Sequence, residues 1–101
     1  MGLVTVINKN ELSEGKGICT VVDSKNIAVF QLDGKYFAVD DECTHAGGSL
    51  SEGEISGTTV TCPLHGATFD VTTGAVLSAP AFEGVKSYKV VVEGNEIKIE
   101  L

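Results

Sequence analysis

Apolar residues recur along the chain in short runs that are separated by turn-forming residues. Val and Ile dominate these runs, and β-branched residues favour extended strands over helices. Within the run that contains Tyr36 and Val39, alternate residues are expected on opposite faces of one strand. The predicted strands of the first half cover residues 3–7, 18–23, 27–33 and 35–39.

Turn signals join these runs into hairpins. Asp33-Gly34 is a strong two-residue hairpin signal, and residues 24–26 predict another tight turn. In the second half, a turn at 72–74 and a turn at Gly94-Asn95 separate further runs, while the glycine-rich residues 46–57 predict a loop. The predicted strands of this half cover residues 58–61, 67–71, 75–77, 87–93 and 96–101.

This spacing is typical of an all-β protein. Strands recur roughly every 8–12 residues, the pattern of a small sandwich or barrel of short antiparallel strands. Helical periodicity extends no further than one turn near Glu11. A length of 101 residues predicts a single domain that spans residues 1–101.

The net charge argues against two classes of partner. Fourteen acidic and seven basic side chains give a net charge of −7, which argues against nucleic acid and against an anionic membrane surface. The acidic surface fits solubility, and it equally fits steering toward a basic protein partner. No run is apolar enough to span a bilayer, and the first residues lack the features of a secretory leader. With three cysteines and no disulfide framework, the cytoplasm is the expected compartment.

The candidate chemistry lies between residues 43 and 65. Cys43-Thr44-His45 is followed, after sixteen residues, by Cys62-Pro63-Leu64-His65. A common structural zinc site pairs Cys with Cys and His with His, whereas here the two kinds of ligand alternate along the chain. Alternation suits two adjacent metal ions, one bound by both Cys and the other by both His, although a zinc site with a partner-binding role stays open from the residues alone.

With these two motifs the chain resembles the Rieske [2Fe–2S] family. The resemblance implies that Cys43, His45, Cys62 and His65 bind one [2Fe–2S] cluster, and that Pro80 lies in a loop covering it. It also implies a soluble ferredoxin that carries electrons from an NADH-dependent flavin reductase to a terminal aromatic-ring dioxygenase. A small subunit of an assimilatory nitrite reductase is the alternative. The cluster uses both histidines of the chain, so no His remains for a separate catalytic iron or a haem.

Other residues give further expectations. Cys19 is predicted to be a small buried apolar residue, and the acidic residues 40–42 are predicted to form a solvated turn. High-potential Rieske proteins carry a disulfide between the loops and two hydroxyls near the sulfurs. The resemblance places Gly48 with Leu64, Ala67 and Phe69 at those positions, so a potential near the bottom of the family range is expected.

Overall fold

The computed structural model describes residues 2–42, 49–64, 66–78 and 83–100. Strands dominate these residues, which confirms the all-β prediction, and two single-turn 3-10 helices cover Lys9–Glu11 and Leu50–Glu52. None of the helices in the described ranges has the length and hydrophobicity to cross a membrane. The strands are β1 Leu3–Asn8, β2 Lys16–Val22, β3 Lys25–Leu32, β4 Lys35–Asp40, β5 Glu54–Ser56, β6 Thr59–Thr61, β7 Thr68–Asp70, β8 Val76–Ser78, β9 Ser87–Tyr88, β10 Val90–Glu93 and β11 Glu96–Glu100.

The strands form three antiparallel sheets. The first sheet has the order β1-β11-β10, the second β2-β3-β4-β9, and the third β5-β6-β7-β8. Most neighbours within a sheet are also neighbours along the chain, so short hairpins build most of the fold. The first sheet instead joins the two ends of the described chain, because β1 pairs with β11.

The second sheet lies between two hydrophobic cores. On β3, Ala28, Phe30 and Leu32 pack into a core shared with the third sheet, whereas Ile27 and Val29 pack into a core shared with the first sheet. Both faces of this strand are therefore buried, which explains why its apolar run is continuous rather than alternating. The expected alternation on β4 is confirmed as well, since Phe37 and Tyr36 pack against different cores.

Two-residue turns set the register of the second sheet. Asp33 and Gly34 both have positive φ, 55° and 75°, as a twisted hairpin turn of this kind requires. Both carboxylate oxygens of Glu14 accept hydrogen bonds from the amides of this turn, at 2.5 and 2.9 Å. The β2–β3 turn consists of Asp23-Ser24, so the prediction of a turn over 24–26 was too late in the chain, and β3 begins at Lys25.

Two predicted elements were wrong. Residues 46–57 are not all loop, because the described part contains the 3-10 turn Leu50–Glu52 and strand β5. The predicted single strand over 87–93 is divided at Lys89, where β9 pairs with β4 and β10 pairs with β11. The change of sheet also breaks the predicted alternation, and Val92 is 40% exposed instead of facing the core.

Candidate metal centre

The second Cys-His motif begins at the end of β6. The amide of Cys62 donates a hydrogen bond to the carbonyl of Ala67 at 2.7 Å, which closes the turn between them. Gly66 has a φ of 79°, a conformation that a residue with a side chain rarely adopts. His65 lies outside the described residues, so its predicted role as a ligand stays a prediction.

Cys62 sits at the inner side of this turn. Its exposed fraction is 1%, and it belongs to the core between the second and third sheets together with Leu50, Ala67 and Phe69. Leu64, at the outer side of the same turn, is 46% exposed. The turn therefore places the Cys62 thiol against the apolar core, while its outer side, at Leu64, faces the solvent.

The first motif starts just after β4, and its two ligands, Cys43 and His45, lie outside the described residues. The residues on either side of that motif are described, and they meet. Glu42 and Ser49 form an antiparallel bridge, and the Leu50 amide donates to the Asp41 carbonyl at 2.8 Å. The described residues on the two sides of positions 43–48 are therefore held next to each other. Pro80, predicted in a covering loop, also lies outside the described residues.

The acidic residues 40–42 do not form the solvated turn that was predicted. Glu42 is exposed, but Asp41 is only 5% exposed and accepts hydrogen bonds from the Ser49 hydroxyl and the Ser51 amide, at 2.5 and 2.8 Å. Asp40 accepts a hydrogen bond from the Tyr88 hydroxyl at 2.6 Å. Burial, followed by this hydrogen bond, raises the pKa of Tyr88 above its usual range.

Cys19 is exposed, so its prediction as a buried residue was wrong. It pairs with Ala28 across β2 and β3, and β2 is the edge strand of the second sheet. A side chain on an edge strand has a neighbouring strand on one side only and can therefore stay exposed. The alternation of apolar and polar residues does not show which strand lies at the edge of a sheet. Partial burial, followed by the Asp41 carboxylate, raises the pKa of the Cys19 thiol.

Sequence reasoning missed the contacts that Asp41 makes with Ser49 and Ser51. The signal was present as an acid before the first motif and two serines soon after it. Acids and serines also abound in ordinary turns, so this pattern alone does not separate a buried carboxylate from a solvated one.

The described residues fit an iron–sulfur group. A cysteine ligand must be a thiolate, and Cys62 stands at the entry of a short glycine-containing turn, as a ligand to a bulky inorganic group requires. Ala67 and Phe69, whose side chains carry no hydroxyl, belong to the same core as Cys62.

Comparisons with known proteins agree with this chemistry. The family model for the Rieske [2Fe-2S] domain matches residues 2–89. The chain is 43% identical over 100 residues to a 3-phenylpropionate/cinnamic acid dioxygenase ferredoxin subunit from Photorhabdus laumondii, covering 98% of this chain and 94% of that protein.

Solved structures give the same result. The ferredoxin of carbazole 1,9a-dioxygenase from Nocardioides aromaticivorans IC177 superposes with a TM-score of 0.92 at 32% identity, covering 98% of this chain and 97% of that one. A chain in a complex of reduced oxygenase and oxidised ferredoxin in carbazole 1,9a-dioxygenase matches with a TM-score of 0.88 at 30% identity, covering 96% of this chain and 91% of that one. With the motif, the all-β fold and these matches in agreement, the chain belongs to the Rieske [2Fe-2S] domain family.

Proposed function

We propose that this protein is a one-electron carrier that serves a terminal aromatic-ring dioxygenase. Cys43 and Cys62 bind one iron ion of a [2Fe–2S] cluster, and His45 and His65 bind the other. An NADH-dependent flavin reductase supplies the electrons. The similarity to ferredoxin subunits of dioxygenase systems supports the carrier role, and the solved oxygenase–ferredoxin complex supports direct docking on an oxygenase.

The observation that carries the proposal is the turn from Cys62 to Ala67. It holds a buried cysteine at its inner side and exposes Leu64, the residue before His65, at its outer side. A redox group held here is insulated by the core on one side and accessible to a partner on the other. When bound, the cluster accepts and releases one electron. Both histidines of the chain are assigned to it, so the partner enzyme carries out the chemistry on the substrate.

We also propose that residues 1–101 act as one domain and that the protein works in the cytoplasm. The expected iron ligands are thiolates, and the exposed thiol of Cys19 persists in a reducing compartment.

Metal analysis tests the ligand assignment. The purified protein should contain two iron and two acid-labile sulfide per chain, with the visible absorption of a Rieske centre. His65→Ala and Cys62→Ser should each lack the normal cluster, whereas Cys19→Ser, which removes a thiol outside the motifs, should keep the wild-type spectrum. One zinc and no sulfide per chain would overturn the proposal.

Reconstitution tests the carrier role. With a flavin reductase, NADH and a terminal dioxygenase of a related system, product formation should depend on the concentration of this protein and saturate. A carrier exchanges between partners through a small, weak interface, so it should purify without either enzyme. Stoichiometric co-purification with a nitrite reductase would support the fixed-subunit alternative instead.

A further inference from the structure

Asp41 is the only charged residue that is buried among those the structure describes. Burying a carboxylate is costly unless hydrogen bonds replace its lost water. Glu42, its neighbour in sequence, is exposed, so the burial belongs to this one position and not to the acidic segment as a whole. The position of Asp41, two residues before the predicted ligand Cys43, makes its contacts relevant to the metal centre.

Asp41 makes hydrogen bonds with residues that follow the first motif and with the start of β3, and its carboxylate also lies against the Cys19 thiol. Its two carboxylate oxygens accept from the Ser49 hydroxyl and from the Ser51 amide. Its carbonyl accepts from the Leu50 amide at 2.8 Å, and its amide donates to the Asn26 carbonyl at 2.9 Å. The hydroxyls of Ser49 and Ser51 lie 3.0 Å apart, which joins the two serines to one another.

These bonds lie on both sides of the segment 43–48. Asp41 precedes that segment and the serines follow it, while the Asn26 contact anchors Asp41 to the start of β3. A segment whose two ends are fixed has far fewer conformations than one whose ends move independently. The entropy lost when its ligands take up a metal cluster is correspondingly smaller.

We propose that Asp41 is a positioning residue for the metal centre: its carboxylate clamps Ser49 and Ser51 against the end of β4 and so fixes the base of the segment that carries Cys43 and His45. This inference rests on the assignment of Cys43 and His45 as ligands under the proposed function. Residues that orient metal ligands without touching the metal typically change metal affinity about 10–100-fold when they are mutated.

The main test is the rate at which the holoprotein loses its cluster to an iron chelator, followed by visible absorption. Asp41→Ala removes the side-chain bonds to Ser49 and Ser51 together with the contact to the Cys19 thiol, and it should accelerate the loss about 10–100-fold. Ser49→Ala removes one of the bonds to the Asp41 carboxylate and the bond between the two serine hydroxyls, and it should have a smaller effect in the same direction. Glu54→Ala, which removes an exposed carboxylate from nearby β5, should keep the wild-type rate.

Asp41→Asn separates the geometry of the clamp from its charge. The amide oxygen can still accept from the Ser51 amide, and the amide nitrogen can donate to the Ser49 hydroxyl, which then donates to the Ser51 hydroxyl. This variant should therefore restore most of the chelator resistance that Asp41→Ala loses. If Asn and Ala accelerate the loss equally, the clamp geometry is not what protects the cluster.

A control for general stability is needed because Asp41→Ala also removes a buried hydrogen-bond acceptor. Ile97→Val or Ile97→Ala weakens the other core, between the first and second sheets, and the variant whose unfolding midpoint matches that of Asp41→Ala should be chosen. The matched Ile97 variant should lose its cluster at nearly the wild-type rate while both variants remain folded by circular dichroism. Equal rates for the matched pair would overturn the proposal, and so would a wild-type rate in Asp41→Ala.

Two further variants, Ser49→Ala and Cys43→Ser, distinguish failure of the clamp from failure to fold and from a wrong ligand assignment. If Asp41→Ala does not fold, Ser49→Ala decides, and a wild-type rate in that variant contradicts the clamp. Cys43→Ser tests the ligand assignment separately: if it retains the normal cluster, the proposed ligand set fails, whatever Asp41→Ala does. Loss of the cluster in Cys43→Ser together with a wild-type rate in Asp41→Ala leaves the proposed function standing and rejects only the clamp.

Discussion

At the scale of single residues, polarity next to the Cys62 sulfur controls how readily an attached cluster accepts an electron. A hydrogen-bond donor near sulfur favours the reduced cluster, which carries one more negative charge. Ala67 and Phe69 lie in the same buried core as Cys62, and neither side chain has a hydroxyl to donate. The wild-type midpoint potential is therefore expected near the bottom of the family range of roughly −150 to +300 mV.

Ala67→Ser and Phe69→Tyr should each raise the midpoint potential, and the double variant should raise it further. A hydrogen bond to a charged group is worth roughly 1.5–3 kcal/mol, and only the difference between oxidation states counts. With about 59 mV per tenfold change for one electron, each hydroxyl should add several tens of mV, up to about 100. Phe69→Leu is the control, because it alters packing without adding a donor. Redox titration with a wild-type midpoint above about +100 mV would contradict this reasoning.

The thiol of Cys19 should be less reactive than an ordinary exposed cysteine. Its pKa is raised by partial burial and then by Asp41 and Glu52, so less thiolate is present at any pH below the raised value. Glu52→Gln removes one of these carboxylates and should increase the rate of alkylation by iodoacetamide near pH 8. Mass spectrometry of the holoprotein measures the rate, with Cys19→Ser as the blank. An unchanged rate in Glu52→Gln would mean that this carboxylate does not reach the thiol.

At the scale of elements, β4 and β9 are joined by a side-chain hydrogen bond as well as by backbone bonds. Only two residue pairs join these strands, Ala38 with Tyr88 and Val39 with Ser87. The Asp40 amide also donates to the Lys86 carbonyl at 2.9 Å, and the Tyr88 hydroxyl donates to the Asp40 carboxylate. We therefore expect the Tyr88 hydrogen bond to stabilise the pairing of this two-residue strand.

Tyr88→Phe should lower the free energy of unfolding by about 1.5–3 kcal/mol at pH 7, as expected for a hydrogen bond to a charged group. The pH dependence has a definite sign. The folded-state pKa of Tyr88 is raised above the unfolded value of about 10, so its contribution is complete below pH 10 and is lost as the pH rises through the folded value. In urea unfolding between pH 8 and 11, the free energy of unfolding of the wild type should fall toward that of Tyr88→Phe. A difference in unfolding free energy between wild type and Tyr88→Phe that stays constant with pH would contradict the stabilising role of the Tyr88 hydroxyl.

At the scale of the whole molecule, the negative charge is unevenly distributed along the chain. Residues 36–85, which include both Cys-His motifs and the third sheet, contain seven acidic residues and no lysine or arginine. The remaining residues contain seven acidic residues and seven lysines, so they are neutral overall. The net charge of −7 therefore belongs to the part of the chain that would meet a redox partner.

Electron transfer to a basic partner should slow as salt rises. Exposed charges are screened beyond about 10 Å at an ionic strength of 0.1 M, and steered association falls with screening. Glu42→Gln and Glu54→Gln, both exposed in the charged region, should weaken the salt dependence more than Glu100→Gln, which lies in the first sheet. Stopped-flow reduction across a salt series measures this effect. A rate that does not change with salt would mean that the acidic surface serves solubility alone.

The sequence alone determined those features that depend on neighbouring residues. Asp33-Gly34 has the backbone freedom that its turn demands, and β-branched runs favour strands, so the hairpins around them were predicted with their approximate bounds. The alternating Cys and His pairs indicated a two-metal centre through ligand chemistry, which needs no knowledge of the fold.

The tertiary structure decided what covers each residue. Cys19 is exposed because β2 is an edge strand, and the predicted strand over 87–93 divides because its two halves pair with different sheets. Asp41 is buried because the chain returns after the segment 43–48 and brings Ser49 and Ser51 to its carboxylate. Each of these outcomes depends on contacts between residues that are distant along the chain or separated by a loop. Local composition does not distinguish such contacts from ordinary exposed turns and strands.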